Sequence, residues 1–142
     1  MSPDLSLLVT AEASKEDYQT IWDGLVAYNL QFVPPDGHET LYVFLRRADQ
    51  TLAGGLLGGT AWGWLYVSIL WLDAGVRRMG YGSQLLAAAE QEALRRGCSH
   101  VNLDTMSFQA LGFYEKHGYS VWGVLEDFPP GFKRYFLRKD LR

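Results

Sequence analysis

The segment Asp73-Ala74-Gly75-Val76-Arg77-Arg78-Met79-Gly80-Tyr81-Gly82-Ser83-Gln84-Leu85 joins an uncharged apolar run to an amphipathic helix through a basic, glycine-containing turn. A strand that feeds a helix in this way fits few architectures. Successive backbone N–H groups of the turn and the positive end of the helix dipole converge on one concavity, which makes an anion site held mostly by main chain. Gly80 and Gly82 let the backbone approach a ligand without a Cβ in the way. Spacing excludes two phosphate ligands. A dinucleotide fingerprint needs a third glycine three residues after Gly82, where the chain has Leu85, and a nucleoside triphosphate loop needs Lys after Gly80, where it has Tyr81.

The apolar run before the turn, Thr51 to Leu72, carries no charge and is long enough to cross a bilayer as a helix. Its composition argues against that. Gly54, Gly55, Gly58, Gly59 and Gly63 interrupt it, and Trp62, Trp64, Tyr66, Val67 and Ile69 favour strands, so the run reads as two strands with a turn near Gly63 and no membrane span. In the second of these strands Leu65, Val67, Ile69 and Trp71 face one side, and Trp64, Tyr66, Ser68, Leu70 and Leu72 the other. Both faces are mostly apolar, as in a central strand covered by helices; Trp62, Trp64 and Tyr66 read as core.

The flanking elements follow from the same signals. Leu5–Thr10 reads as a first strand, and Ser14 with Asp17 starts a helix carrying Tyr18, Ile21, Trp22, Leu25 and Val26 on one stripe. Pro34-Pro35-Asp36-Gly37 ends that helix in a loop; Leu41–Leu45 is the next strand, and Ala48-Asp49-Gln50 turns into the glycine-rich run. After the anion turn Leu85, Leu86, Ala89, Ala93 and Leu94 form a helical stripe that Gly97 stops. Val101–Thr105 is a strand, Ser107 caps a helix that Gly118 ends, and Tyr119–Glu126 and Arg134–Arg138 are the last two strands. The order describes an α+β fold, layered α/β/α: one domain over 1–142 with a mixed sheet of about seven strands and helices on both faces.

Two spaced patterns remain, Arg77-x-x-Gly80-x-Gly82 and Ser107-x-x-Ala110-x-x-x-Tyr114-x-Lys116-x-Gly118-Tyr119. The first resembles the acetyl-coenzyme A signature Gln/Arg-x-x-Gly-x-Gly/Ala of the GNAT superfamily of N-acetyltransferases. The second resembles that family's other signature, Asn-x-x-Ala-x-x-x-Tyr-x-Lys-x-Gly-Phe/Tyr, with Ser107 standing where Asn is usual. The resemblance covers roughly residues 40 to 120. It implies a sheet whose fourth and fifth strands splay apart, with pantetheine pairing to the main chain of Leu70 and Leu72. The pyrophosphate would lie on Arg77, Arg78, Met79, Gly80, Tyr81, Gly82 and Ser83. Ser107 takes the position that commonly bonds the pantetheine arm, and Tyr114 that of a tyrosine which in many relatives donates a proton to the leaving sulfur.

Acetyl transfer to an amine also needs a neutral amine lone pair. Asp104, at the end of its strand beside the slot, is the first candidate for the base, followed by Asp73, Glu126 and Asp127; the resemblance implies none of them. The expected selectors of the acceptor are the first helix with its following loop, Val33–Glu39, and the segment Glu126–Phe132; in both segments aromatic and acidic residues mix as would suit a cationic ligand. A net charge of −3 in 142 residues gives no basic field for nucleic acid and accommodates an amine. The three histidines, His38, His100 and His117, form no ligand pair, so no metal is assigned. The single cysteine, Cys98, excludes a disulfide framework and reads as a buried thiol; no signal peptide is visible at Met1–Leu5, and the expected compartment is the cytosol. The resulting expectation is an acetyl-CoA-dependent N-acetyltransferase of a small-molecule primary amine, acting by direct attack in a ternary complex. A non-catalytic acyl-CoA-binding module and an acetyltransferase of protein amines are the alternatives, and a homodimer is compatible with the chain.

Overall fold

The computed structural model describes residues 4–142, so the reading of Met1, Ser2 and Pro3 lies outside it. These residues form two compact units, one ending at Asp36 and one spanning Gly37–Arg142. In the first unit, helix α1 (Lys15–Asn29) starts where Ser14 predicts, the Ser14 hydroxyl accepting from the Asp17 N–H at 3.0 Å. None of its residues is buried. The strand expected at Leu5–Thr10 does not form: among the described residues of this unit there is no second strand to share a ladder with it, and Leu5, Leu7, Leu8 and Val9 are exposed.

The second unit is a six-stranded sheet with two helices. Its elements are β1 (Glu39–Arg46), β2 (Leu52–Ala61), β3 (Trp64–Leu72), α2 (Tyr81–Arg95), β4 (His100–Met106), α3 (Leu111–Lys116), β5 (Ser120–Glu126) and β6 (Lys133–Asp140). The spatial order is β1-β2-β3-β4-β6-β5, with β3 and β4 parallel and every other pair antiparallel. The mixed α+β class is therefore as expected, with six strands in place of seven. Thr51 to Leu72 folds as a hairpin rather than a span, turning at Trp62 and Gly63, both at positive φ as a two-residue turn requires. Among the described residues no helix is long and apolar enough to cross a membrane.

Helix α2 lays Leu85, Leu86, Ala89 and Ala93 against Leu41, Leu56, Leu65, Val67, Val101, Leu103 and Leu137 of the sheet. Each of the fully buried leucines, Leu56, Leu65, Leu86 and Leu137, contributes about 2 kcal/mol by leaving water. The helix stops as read: Gly97 is at φ 86°, with Gly97 N–H donating to the Leu94 carbonyl and Cys98 N–H to that of Ala93, both at 2.9 Å. Helix α3 stops in the same way at Gly118, where the Tyr119 N–H reaches the Tyr114 carbonyl at 3.1 Å. Cys98 is buried in the core, and burial pushes its thiol pKa up, away from reactivity.

The facing of β3 differs from strict alternation. The ladder with β2 slips between Leu57 and Gly58, so that Val67 pairs with Gly58 and Ile69 with Leu57, leaving Ser68 as an extra residue. The Ser68 hydroxyl donates to the Leu57 carbonyl at 2.9 Å. Beyond this bulge the faces exchange: Leu65 and Val67 point into the core, and so do Leu70 and Leu72, while Tyr66, Ile69 and Trp71 are exposed on the other side. A bulge adds one residue to a period of two, and that is why the regular pattern misplaced the last four positions.

Candidate active site

Strands β3 and β4 are in register only from Trp64 opposite His100 to Val67 opposite Leu103. Past the bulge they diverge and open a cleft of about 560 Å³ whose wall is Val67–Leu72 on one side and Asp104, Thr105, Gln109, Ala110 and Tyr114 on the other. The Asp73 N–H donates to the Ala53 carbonyl of β2 at 2.8 Å; since successive residues of a strand point their N–H groups to opposite sides, those of Leu72 and Leu70 point away from β2 into the cleft. The Leu72 carbonyl, on that same side, is taken by the Arg77 Nε at 3.0 Å. An edge of unpaired strand inside a cleft is suited to a ligand with amide groups of its own.

The turn that follows is shaped by its two ends. Asp73 accepts from Ala74 N–H at 2.9 Å and pairs with Arg47 at 2.6 Å, so this carboxylate fixes the turn. Arg78 and Gly80 adopt φ of 62° and 84°, and α2 begins at once behind them with no side chain capping its N-terminus. Its first intrahelical bond from this end is Gln84 N–H to the Gly80 carbonyl at 3.2 Å, which leaves the Tyr81, Gly82 and Ser83 donors for an anion. The two glycines serve different ends. Gly80 supplies the left-handed conformation, whereas a Cβ on Gly82 would stand 3.3 Å from the Phe113 ring, so Gly82 lets α3 pack onto the start of α2. The Ser83 hydroxyl is engaged with His117: the His117 Nδ1 lies 2.7 Å from the Phe113 carbonyl and must carry the hydrogen, so Nε2 accepts from Ser83 at 2.8 Å. Ser83 thus offers an anion its backbone. Gly80→Ala is expected to weaken coenzyme A binding by about tenfold in calorimetry, since a left-handed alanine costs about 1–2 kcal/mol and the turn relaxes away from the cradle.

Tyr114 is buried in α3 with its phenol at the cleft. Its ring packs edge-on against Phe113 and Tyr119, with centroids 5.2 and 5.8 Å away. The hydroxyl makes no hydrogen bond among the described residues, and no buried polar side-chain atom lacks a partner, so the oxygen opens to the cleft. Burial, reinforced by the charge of Asp104, pushes the Tyr114 pKa up to about 12. The group stays a phenol throughout the physiological range.

Asp104 stands across the cleft in a network that local sequence did not signal. Its Oδ1 accepts from Arg134 Nε at 3.0 Å and pairs with the second guanidinium nitrogen at 2.9 Å; its Oδ2 accepts from the Tyr66 hydroxyl at 3.2 Å. Burial first, and then the Asp104 charge, raise the Tyr66 pKa. The Arg134 guanidinium lies 4.8 Å over the Phe128 ring and 5.1 Å over that of Phe136. Tyr66 and Arg134 were missed because they meet Asp104 only through the pairing of β4 with β3 and β6. A register read across strands is the one signal that would have found them.

The remaining predicted residues fall elsewhere. Ser107 neither caps α3 nor lines the cleft: its N–H and hydroxyl bond the Lys133 carbonyl and N–H at 2.8 and 3.0 Å, and the cap of α3 is Ala110. Thr105 and Gln109 take its place at the cleft wall, with Gln109 Oε1 accepting from Met106 N–H at 2.7 Å. Glu126 is exposed and paired with Lys133 at 3.7 Å, and Asp127 sits in the exposed turn after β5. Leu70, Leu72, Arg77, Asp104 and Tyr114 are brought together, while Arg78, Met79, Gly80, Tyr81, Gly82 and Ser83 form the adjoining turn.

A second pocket of about 390 Å³ adjoins the cleft at Ser68, which lines both. His38, Gly58, Gly59, Ala61, Trp64, Tyr66 and Asn102 complete it.

The acetyltransferase (GNAT) family matches residues 9–119. An acetyltransferase of Agrobacterium fabrum is 40% identical over 135 residues, covering 95% of this chain and 96% of the relative. The blasticidin-S acetyltransferase of Streptomyces morookaense is 46% identical over 91 residues, 63% of this chain and 67% of that one. The crystal structure of an acetyltransferase from Agrobacterium tumefaciens superposes with a TM-score of 0.88 at 37% identity, covering 96% of this chain and 99% of its own. The chain belongs to the acetyltransferase (GNAT) family and is an acyltransferase whose acyl donor is acetyl-coenzyme A.

Proposed function

We propose that the enzyme moves the acetyl group directly to the primary amine of a small molecule, with donor and acceptor bound at once. The observation that carries this reading is one cleft in which unpaired β3 main chain faces the open hydroxyl of Tyr114. Acetyl-CoA bound there supplies an acyl carbon activated as a thioester. The main chain of Leu70 and Leu72 holds the pantetheine amides, and the turn from Arg77 to Ser83 holds the pyrophosphate. Thr105 and Gln109 take over the contact that the resemblance gives to Ser107. Tyr114 keeps a proton at its phenol oxygen for the departing thiolate. Asp104 faces the acceptor as base or through water, oriented by Arg134 and Tyr66.

Direct transfer is supported by how the candidate nucleophiles are held: Cys98 is buried in the core, and of the cleft hydroxyls Ser68 donates to the Leu57 carbonyl and Thr105 to Gln109 Oε1. A small-molecule acceptor is supported by the relative named for blasticidin-S. We read residues 1–142 as one acetyltransferase domain, the matched span running across both units. Thiol release measured over polyamines, amino acids, aminoglycoside-type amines and peptides tests the reading. Turnover is expected on small amines; acetyl-CoA binding without turnover on any amine favours the non-catalytic module, and turnover on peptides alone favours protein amines.

The pH dependence has a definite sign. An alkylamine of pKa about 10.4 gains its lone pair as pH rises, so kcat/KM is expected to climb from pH 6.5 to 9.5. With its pKa pushed up to about 12, Tyr114 imposes no decline in that window. Asp104→Asn is expected to lower kcat/KM by about 10- to 100-fold at pH 7 and less at pH 9.5, where more of the amine is already neutral. Equal losses at both pH values would remove Asp104 from proton transfer.

A further inference from the structure

We propose that the pocket beside the cleft, walled by Trp64 and Tyr66, seats a planar, ring-bearing monoamine, so that the acceptor class is aromatic rather than polycationic. The inference rests on the acetyltransferase reading and names the acceptor for it. The pocket lies on the sheet face opposite α2, and its floor is the glycine pair Gly58 and Gly59 of β2. Backbone crowding favours glycine in the floor: a Cβ on Gly58 would run into the Tyr66 carbonyl, and one on Gly59 would come 3.1 Å from the Glu39 carbonyl. Trp64 and Tyr66 stand two residues apart on this face, their backbones about 7 Å apart along the strand, and both border the same recess, so a flat ring entering it meets aromatic surface.

Both walls are pinned. The Trp64 ring stacks on His100 with centroids 4.5 Å apart at 28°, and the Arg138 guanidinium lies 5.0 Å from it. Asp140 holds both of these neighbours, at 2.7 Å to His100 Nδ1 and 3.1 Å to Arg138. Tyr66 is held through its hydroxyl to Asp104 at 3.2 Å. Preset aromatic walls receive a ring with little ordering cost. At the edge, the Asn102 side chain uses one donor on the Leu65 carbonyl at 3.4 Å, and its amide oxygen makes no hydrogen bond among the described residues, so a ring bearing a polar N–H finds an acceptor there.

Charge points the same way. No Asp or Glu lines the pocket, and the nearest carboxylate in the network, Asp104, is already paired with Arg134 at 2.9 Å. A polyamine would desolvate several ammonium groups against a wall that offers them no counter-charge. One amine extending past Ser68 toward Asp104 and Tyr114 meets only what that cleft provides.

The test compares 2-phenylethylamine with 2-cyclohexylethylamine, its saturated counterpart, and with spermidine, using the full chain and acetyl-CoA. Binding is followed by calorimetry with coenzyme A present, and turnover by thiol release. The planar amine is expected to bind about tenfold more tightly than the other two. Trp64→Leu should raise KM for 2-phenylethylamine about tenfold with kcat and acetyl-CoA affinity unchanged, while Trp64→Phe, which keeps a ring, stays within about threefold of wild type. Equal affinity for the planar and saturated rings, or preference for spermidine, would overturn the proposal whatever the turnover. Ring-selective binding without thiol release would uphold the pocket and defeat the transferase reading instead.

Discussion

Tyr114→Phe is expected to lower kcat for amine acetylation by about 100- to 1,000-fold while leaving the Kd for acetyl-CoA within about threefold. The separation follows from where the hydroxyl sits. It opens to the cleft and makes no hydrogen bond among the described residues, so its removal leaves no orphaned partner and no hole beyond one oxygen. Ring packing against Phe113 and Tyr119 survives, since both contacts are made by the aromatic face and edge. What is lost is the proton. A phenol whose pKa is pushed up to about 12 is a weak acid toward solvent, so on the proposed reading it meets the departing thiolate still protonated. A variant with unchanged kcat and a weakened acetyl-CoA Kd would make Tyr114 an anchor rather than an acid.

The second large effect concerns stability. Glu90 of α2 is mostly buried and receives Lys139 of β6 at 2.9 and 3.1 Å, together with the Tyr119 hydroxyl at 2.7 Å. Burial, and then the bond to Glu90, push the Tyr119 pKa upward. Glu90→Ala strands an ammonium and a hydroxyl at once, at a cost of about 3 kcal/mol, and is expected to lower Tm by about 6–12 °C. The double variant Glu90→Leu with Lys139→Met removes both charges and should recover about half of the loss, because an apolar pair of similar volume needs no counter-ion while the Tyr119 hydroxyl still lacks its acceptor. A single variant within about 1 °C of wild type would show that the network contributes nothing. The network also reaches the cleft wall through Tyr119, which follows Gly118 at the end of α3 and packs edge-on against Tyr114.

What could be read in advance was local. The boundaries of α2 follow from the turn before it and from Gly97 after it, and the position of Tyr114 follows from a spacing that closes on Gly118. These signals are written within a few residues of the feature they determine. The parts that escaped depend on register. Ser68 becomes a bulge through the slip between Leu57 and Gly58, and that slip turns Leu70 and Leu72 toward the core and Trp71 to the surface. Tyr66, Asp104 and Arg134 share one hydrogen-bonded group across three strands, which no window along the chain contains. Ser107 has a good cap residue's chemistry, yet the start of β6 claims its hydroxyl first. Leu5–Thr10 has the residues of a strand and, within its own unit, nothing to pair with.

The donor slot is tested most directly by amide hydrogen exchange, residue by residue, with and without saturating coenzyme A. The account predicts that the Leu70 and Leu72 amides, which point into the cleft, slow by at least about tenfold on binding, together with Tyr81, Gly82 and Ser83. The Asp73 amide, already bonded to the Ala53 carbonyl, should change little. Coenzyme A that binds while Leu70 and Leu72 exchange as before would place the donor outside the opening between β3 and β4 and contradict the account.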